Sequence, residues 1–358
     1  MQPDMYQQEP NLLAQTYRNH VVQLPRRFEK QYDFIDINKD GTFLLGTSNM
    51  TGRIWCGSVW LFNDMSDPPD VEKCIAGLEF ESGVAVCKWY ENGTRIAVGT
   101  DFGALNLLSL APVHDVKRHY LSTLAILSEH DDCITTLDPT FDGNKILTGS
   151  MDMNIKIWDT DSATCEKTYE CAHTHTVTSA CFQPGKDDVF ISTSTDGNSL
   201  LWDRNLEKPA SLILRTESGY SACCWVNENC IALGANSGSV SLVDLRMKSE
   251  LDRNFCSQRP IFYLNYDKET ELLAVSADDP IVRVFHCTNN LLNNVYECER
   301  HHDFVRGLAW KSPYHLYSCA WDSKILHHEV KIENTELDCS KMDVNGISKT
   351  VKDEEEKI

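Results

Sequence analysis

The sequence predicts an all-β fold, a seven-bladed β-propeller followed by a disordered acidic C-terminal tail. Three observations predict it. A strand–turn–strand pattern returns seven times at a nearly constant interval. The turns inside it carry the glycines that tight hairpins need. No segment keeps a helical period beyond two turns.

The repeat is clearest in Ile134–Asp159, Val177–Asp203 and Ser221–Asp244. Each opens with a short alternating run, turns, continues through a second apolar run ending in small residues, and closes on a third. The third runs are Ile155-Lys156-Ile157-Trp158-Asp159, Ser199-Leu200-Leu201-Trp202-Asp203 and Val240-Ser241-Leu242-Val243-Asp244. Weaker copies end at Asn63, Ser109, His286 and Glu329. The seven ends are separated by 46, 50, 44, 41, 42 and 43 residues, the spacing and strand length of WD repeats. The long step from 109 to 159 places extra residues near Ala111–Ser128.

Local chemistry agrees. Asp40-Gly41, Asn92-Gly93, Asp142-Gly143 and Pro184-Gly185 join first to second runs, and such pairs favour the positive-φ turns that match strand twist. His130 and His173 lie 28 and 29 residues before Trp158 and Trp202, and Asp152 and Asp196 lie seven before the Asp of Trp-Asp. Recurrence in successive repeats makes these structural bracing rather than acid–base pairs. Trp321-Asp322 falls one strand early: Asp322 aligns with Asp152, and Glu329 with Asp159.

The predicted domains follow. Residues 1–19 form an N-terminal extension, partly disordered, and residues 20–330 the propeller. Residues 331–358 are too rich in Lys, Glu and Asp to supply a packed strand and form the tail. The segment His20-Val21-Val22-Gln23-Leu24 is the candidate closing strand of the seventh blade.

Thirty-three Lys and Arg face 53 Asp and Glu, a net charge of −20 and a pI near 4.9. Such a surface repels phosphate, so no nucleic acid and no anionic membrane are expected as partners, while basic protein tails are attracted. No apolar run approaches a membrane span, and the first residues lack a signal-peptide pattern. The 15 cysteines form no C-x-x-C pair and read as reduced, mostly buried thiols. Vicinal Cys223-Cys224 reads as packing on a strand.

No nucleotide-binding, nucleophile-elbow or metalloprotease motif is present. Cys171-Ala172-His173-Thr174-His175 reads as an outer-strand Cys followed by the bracing His and a loop His, and strand alternation separates His301 from His302 and His327 from His328. No cofactor, no metal and no enzymatic activity are expected. A rigid ring with loops on its faces is instead a binding scaffold. The first repeat inserts Thr47–Cys56 between its second and third strands, where other copies use four to six residues. Trp55 there has no core position and reads as a partner contact, with loop packing as the other reading.

The run from Gly52 to Phe62 (Gly52-Arg53-Ile54-Trp55-Cys56-Gly57-Ser58-Val59-Trp60-Leu61-Phe62) resembles the first blade of the methylosome WD-repeat subunits. So do His302-Asp303-Phe304-Val305-Arg306 in the last blade, Trp321-Asp322 and His327-His328, Lys208-Pro209-Ala210-Ser211, and Gly238–Asp244. The resemblance covers all seven repeats and implies a non-catalytic cofactor of the type II protein arginine methyltransferase. In that family four propellers and four enzymes form a hetero-octamer, in cytoplasm and nucleus. The first-blade loop, here Gly52, Arg53, Ile54 and Trp55, binds the enzyme's N-terminal barrel domain. Substrates are Arg/Gly-rich tails of Sm proteins and histones, for which His302, Asp303, Phe304 and Arg306 are a candidate face. A substrate receptor of a cullin ubiquitin ligase, from the degenerate Val243-Asp244-Leu245-Arg246, and a generic WD-repeat scaffold are the alternatives.

Overall fold

The computed structural model describes residues 30–49, 56–112 and 119–331. Twenty-seven strands, β1–β27 in chain order, form seven antiparallel sheets: β1–β4 (31–80), β5–β8 (84–128), β9–β12 (134–169), β13–β16 (177–215), β17–β20 (220–255), β21–β24 (261–298) and β25–β27 (305–329). Each sheet is a meander, its strands neighbours in the order of the chain. These are the predicted blades. The seventh has three strands among the described residues; the candidate closing strand at 20–24, the extension and the tail from 332 lie outside them.

A β-sheet must bury its faces, and here each blade buries them against the next. Leu147, Ile155 and Ile157 of the third blade pack with Val177, Phe182, Phe190 and Trp202 of the fourth. The seventh closes on the first, where Cys319 and Ala309 pack with Tyr32, Ile35, Phe43 and Trp60. Small residues permit this approach: a Cβ on Gly149 or Gly234 would sit 2.6 Å from Val177 or Ile261 of the following blade.

The bracing residues meet as predicted. His130 Nδ1 lies 2.8 Å from Asp152 and its Nε2 2.9 Å from Thr148 Oγ1, which also accepts Trp158 Nε1 at 2.8 Å. His173, Asp196, Ser192 and Trp202 repeat this at 3.0, 2.8 and 2.8 Å. In the seventh blade Asp322 holds His301 at 3.1 Å, and His328, not a Trp, completes the set through Ser318 at 2.7 Å.

Three boundaries move. The first-repeat insertion is shorter than Thr47–Cys56: Thr47, Ser48 and Asn49 belong to β2 (Phe43–Asn49), Cys56 opens β3 (Cys56–Phe62), and Asn49 pairs with Cys56. The extra residues of the second repeat largely lengthen β7 (Ala104–Pro112) and β8 (His119–Ser128), because pairing continues from Leu110–Leu121 to Pro112–His119. Cys171 is not on an outer strand; it follows β12 (Thr164–Tyr169) in a turn at φ 47°.

Candidate functional site: one mouth of the central channel

In an antiparallel meander, second-to-third connections and blade-to-blade connections emerge at the same end of the sheet. The predicted partner segment joins β2 to β3 on that end. Gly52, Arg53, Ile54 and Trp55 themselves lie outside the described residues.

A recurring irregularity shapes the channel at this end. Every first strand, β1 (Gln31–Ile37), β5 (Val84–Tyr90), β9 (Ile134–Pro139), β13 (Val177–Phe182), β17 (Tyr220–Asn227), β21 (Ile261–Asp267) and β25 (Val305–Ser312), shifts register near its start. Near that start one residue per blade is skipped by the pairing: Asp33, Ala85, Thr135, Thr178, Ser221, Phe262 and Arg306. A bulge re-aims its extra residue, and all seven line a central cavity of about 780 Å³.

Around half of this ring the residues are small and hydroxylic. Thr135 Oγ1 donates to Val177 O at 2.6 Å, and Thr178 Oγ1 to Tyr220 O at 2.9 Å, so each ties its blade to the next. Across the seam of blades six, seven and one they are Phe262, Arg306 and Asp33. The Arg306 guanidinium lies 4.0 Å from the Phe262 ring centre, 4.4 Å from Trp321 and 5.3 Å from Phe304. Its Nη1 donates to Asp278 Oδ1 at 2.9 Å, while its buried Nε has no partner. Trp321 Nε1 donates to Asp33 Oδ1 at 2.8 Å, and Asp33 Oδ2 is buried and unpartnered. Burial pushes the Asp33 carboxyl up to about 6, against hydrogen bonds from Ser48 and Trp321 and the nearby charge of Arg306. Burial also lowers Arg306, opposed by Asp278 and Asp33.

Deeper in the channel, Lys88 Nζ reaches Asp138 at 2.7 Å. Asp36 accepts Trp89 N at 2.9 Å, and its carboxyl is raised by burial. Four aspartates (33, 36, 138 and 278) and two cations (Lys88 and Arg306) thus line the cavity.

Above Arg306, Phe304 is 37% exposed and Phe262 39%, and His302 and Asp303 are also exposed. Phe102, Met151 and Met153 stand exposed on second-to-third connections of the same face. The predicted set His302, Asp303, Phe304 and Arg306 is therefore gathered at the mouth. His302 N is held by Asp322, which ties this loop to the seventh-blade bracing set. Sequence reasoning missed Phe262, Asp33 and Trp321 as parts of the cluster. Aligning first strands across repeats would have placed Phe262 and Asp33 at the Arg306 position.

The arrangement has the composition of a protein-binding surface, aromatic and Arg anchors within an acidic rim. Among the described residues no three His, Cys, Asp or Glu are placed to hold a metal ion. His315 and His327 do meet, at 2.9 Å, but as a hydrogen-bonded imidazole pair.

The WD domain, G-beta repeat family matches residues 121–159 and 163–203. A chain from the crystal structure of a mitotic checkpoint complex superposes with a TM-score of 0.68 at 13% identity, covering 85% of this chain and 91% of that one. That likeness shows the fold. Protein valois of Drosophila melanogaster is 24% identical over 257 residues, 68% of this chain and 70% of its own. The methylosome protein WDR77 of Xenopus laevis is 32% identical over 320 residues, 87% of this chain and 93% of its own. The chain therefore belongs to the family of methylosome WD-repeat proteins and is a non-catalytic propeller subunit.

Proposed function

We propose that the protein is an adaptor for a type II protein arginine methyltransferase. It binds the N-terminal barrel domain of that enzyme and helps present Arg/Gly-rich tails, such as those of Sm proteins and histones, for symmetric dimethylation. The observation that carries this reading is the 32% identity to the methylosome protein WDR77 along nearly the whole of both chains. Gly52, Arg53, Ile54 and Trp55 make the enzyme contact, in a hetero-octamer of four propellers and four enzymes, in cytoplasm and nucleus.

The channel mouth supports the second half of the reading. A chain of net charge −20 concentrates cationic tails near an enzyme bound to the same ring. Phe262, Phe304 and Trp321 already hold the guanidinium of Arg306, with Asp278 as its carboxylate. Stacking and carboxylate pairing are the two contacts a substrate arginine needs.

The test is a pull-down from lysate of the source organism with wild-type and Trp55→Ala protein, read by mass spectrometry. Stoichiometric arginine methyltransferase with wild type, lost in the variant at unchanged Tm, supports the proposal. Recovery of a cullin adaptor, or of no dominant partner, overturns it, and unfolding of the variant places Trp55 in the core.

A further inference from the structure

In several blades the inward position three residues beyond the bulge serves as a brace to the next blade. Asp36 accepts Trp89 N of the following blade at 2.9 Å, Asp138 accepts Phe182 N at 2.8 Å, and Asn265 donates to Leu308 O at 2.8 Å. In the fourth blade this position is Cys181. Its sulfur lies 3.9 Å from the carbonyl oxygen of Cys223 in the fifth blade and 3.9 Å from the Cys223 sulfur. Both residues line the central cavity, open to small solutes.

We infer that Cys181 and Cys223 form a dithiol modification site, closed by hydrogen peroxide into a disulfide that joins the fourth and fifth blades through the channel wall.

Geometry favours this pair over the other described thiols. Trp225 Nε1 donates to Cys181 O at 3.2 Å and Thr178 Oγ1 to Tyr220 O at 2.9 Å, fixing β13 against β17 on both sides of the sulfurs. Closure needs an approach of about 2 Å, within reach of χ1 rotation. The neighbour in sequence is not a competitor. Alternation along β17 puts Cys223 in the apolar layer shared with the fourth blade and Cys224 against the layer shared with the sixth. Cys171 is the exposed described cysteine, and it has no thiol partner.

Cys223 is the attacking sulfur. Burial opposes its ionisation, but hydrogen bonds from Cys181, Ser179 and Thr193 outweigh it and lower the thiol. The thiolate attacks one peroxide oxygen. The O–O bond breaks, and hydroxide leaves and takes up a proton as water, giving a sulfenic acid. The Cys181 sulfur then attacks the Cys223 sulfur, the S–O bond breaks, and a second water leaves with the Cys181 proton. Two electrons pass from the sulfurs to one peroxide, two waters form, and one S–S bond replaces two S–H bonds.

The experiment treats the full chain with hydrogen peroxide, alkylates remaining thiols under denaturing conditions, and maps a non-reducing digest by mass spectrometry. The expected product is a Cys181–Cys223 linked peptide, reversed by dithiothreitol. It is absent by construction in Cys181→Ser and in Cys223→Ser, which serve as controls for the assignment of the linked peptide. In Cys181→Ser, Cys223 accumulates as a dimedone-reactive sulfenic acid. Recovery of both thiols alkylated in wild type while Cys171 is oxidised overturns the proposal, as does a bridge between other cysteines. The wild-type digest decides alone if either variant fails to fold.

Discussion

The two sides of the channel mouth are built on the same backbone irregularity and do opposite things with it. On the side of blades three to five the re-aimed residues are Thr135, Thr178 and Ser221, whose hydroxyls are consumed by carbonyls within the ring. On the seam of blades six, seven and one they are Phe262, Arg306 and Asp33, which leave an exposed ring, and a buried Nε and a buried carboxylate oxygen without partners. Equivalent positions on which the repeat places no common side-chain demand are where a repeat fold differentiates. One side spends them on cohesion, and the other keeps them for recognition.

The largest effect that breaks this comparison is Arg306→Ala. It uncovers Phe262 and Trp321 and leaves Asp278 and Asp33 without their cation, at an expected cost of about 2–3 kcal/mol by urea denaturation. A loss near zero would show that the seam carries no structural demand of its own.

Next is acid stability of the seventh blade, which uses His328 where blades three and four use Trp158 and Trp202. Burial, with the charges of Arg300, His301 and His327, holds His328 down to about 3. A lowered folded value means stability that is full above the unfolded value near 6.5 and is lost as pH falls toward 3. At pH 5.5 the loss through this group is about 1.4 kcal/mol. Asp152, lowered to about 2 although burial raises it, chiefly by its hydrogen bond from His130, follows the same sign in a lower window. His328→Trp is expected to flatten the loss between pH 6.5 and 5, read by thermal melts across pH; an unchanged profile would place the acid sensitivity elsewhere.

Thr178→Ala on the cohesive side removes one inter-blade hydrogen bond and should cost about 1 kcal/mol, leaving affinity for Arg/Gly-rich peptides unchanged. Phe304→Ala is the smallest in stability, within about 0.5 kcal/mol. It should nonetheless weaken binding of an Arg/Gly-rich peptide, measured by calorimetry, roughly tenfold. Peptide affinity should also fall with added salt more steeply than enzyme binding. Equal peptide affinities for Phe304→Ala and Thr178→Ala would erase the distinction between the two sides.

Much of this was legible because repeats advertise themselves. The Trp158 and Trp202 periods, the spacing of His130 and His173, and the offset of Asp322 are local properties that recur, so the blades and their bracing could be read directly. His302, Asp303, Phe304 and Arg306 were singled out through resemblance. Phe262 and Asp33 were not, and Trp321 was matched without being linked to Arg306: the three lie 44, 273 and 15 residues from it in the chain and reach it by packing of the sixth blade on the seventh, by closure of the ring onto the first, and across the seventh blade itself. Cys223 was read, with Cys224, as packing on a strand, and nothing local to it pointed to Cys181. The sulfur it meets is 42 residues away.

By itself, then, the sequence determined the number of blades, the strand order within each and the acidic character of the whole, since periodicity, turn glycines and charge are properties of short segments or of composition. Only the tertiary structure decided which residues face the channel. A one-residue bulge reverses the side a residue faces, and where pairing slips depends on how adjacent blades pack.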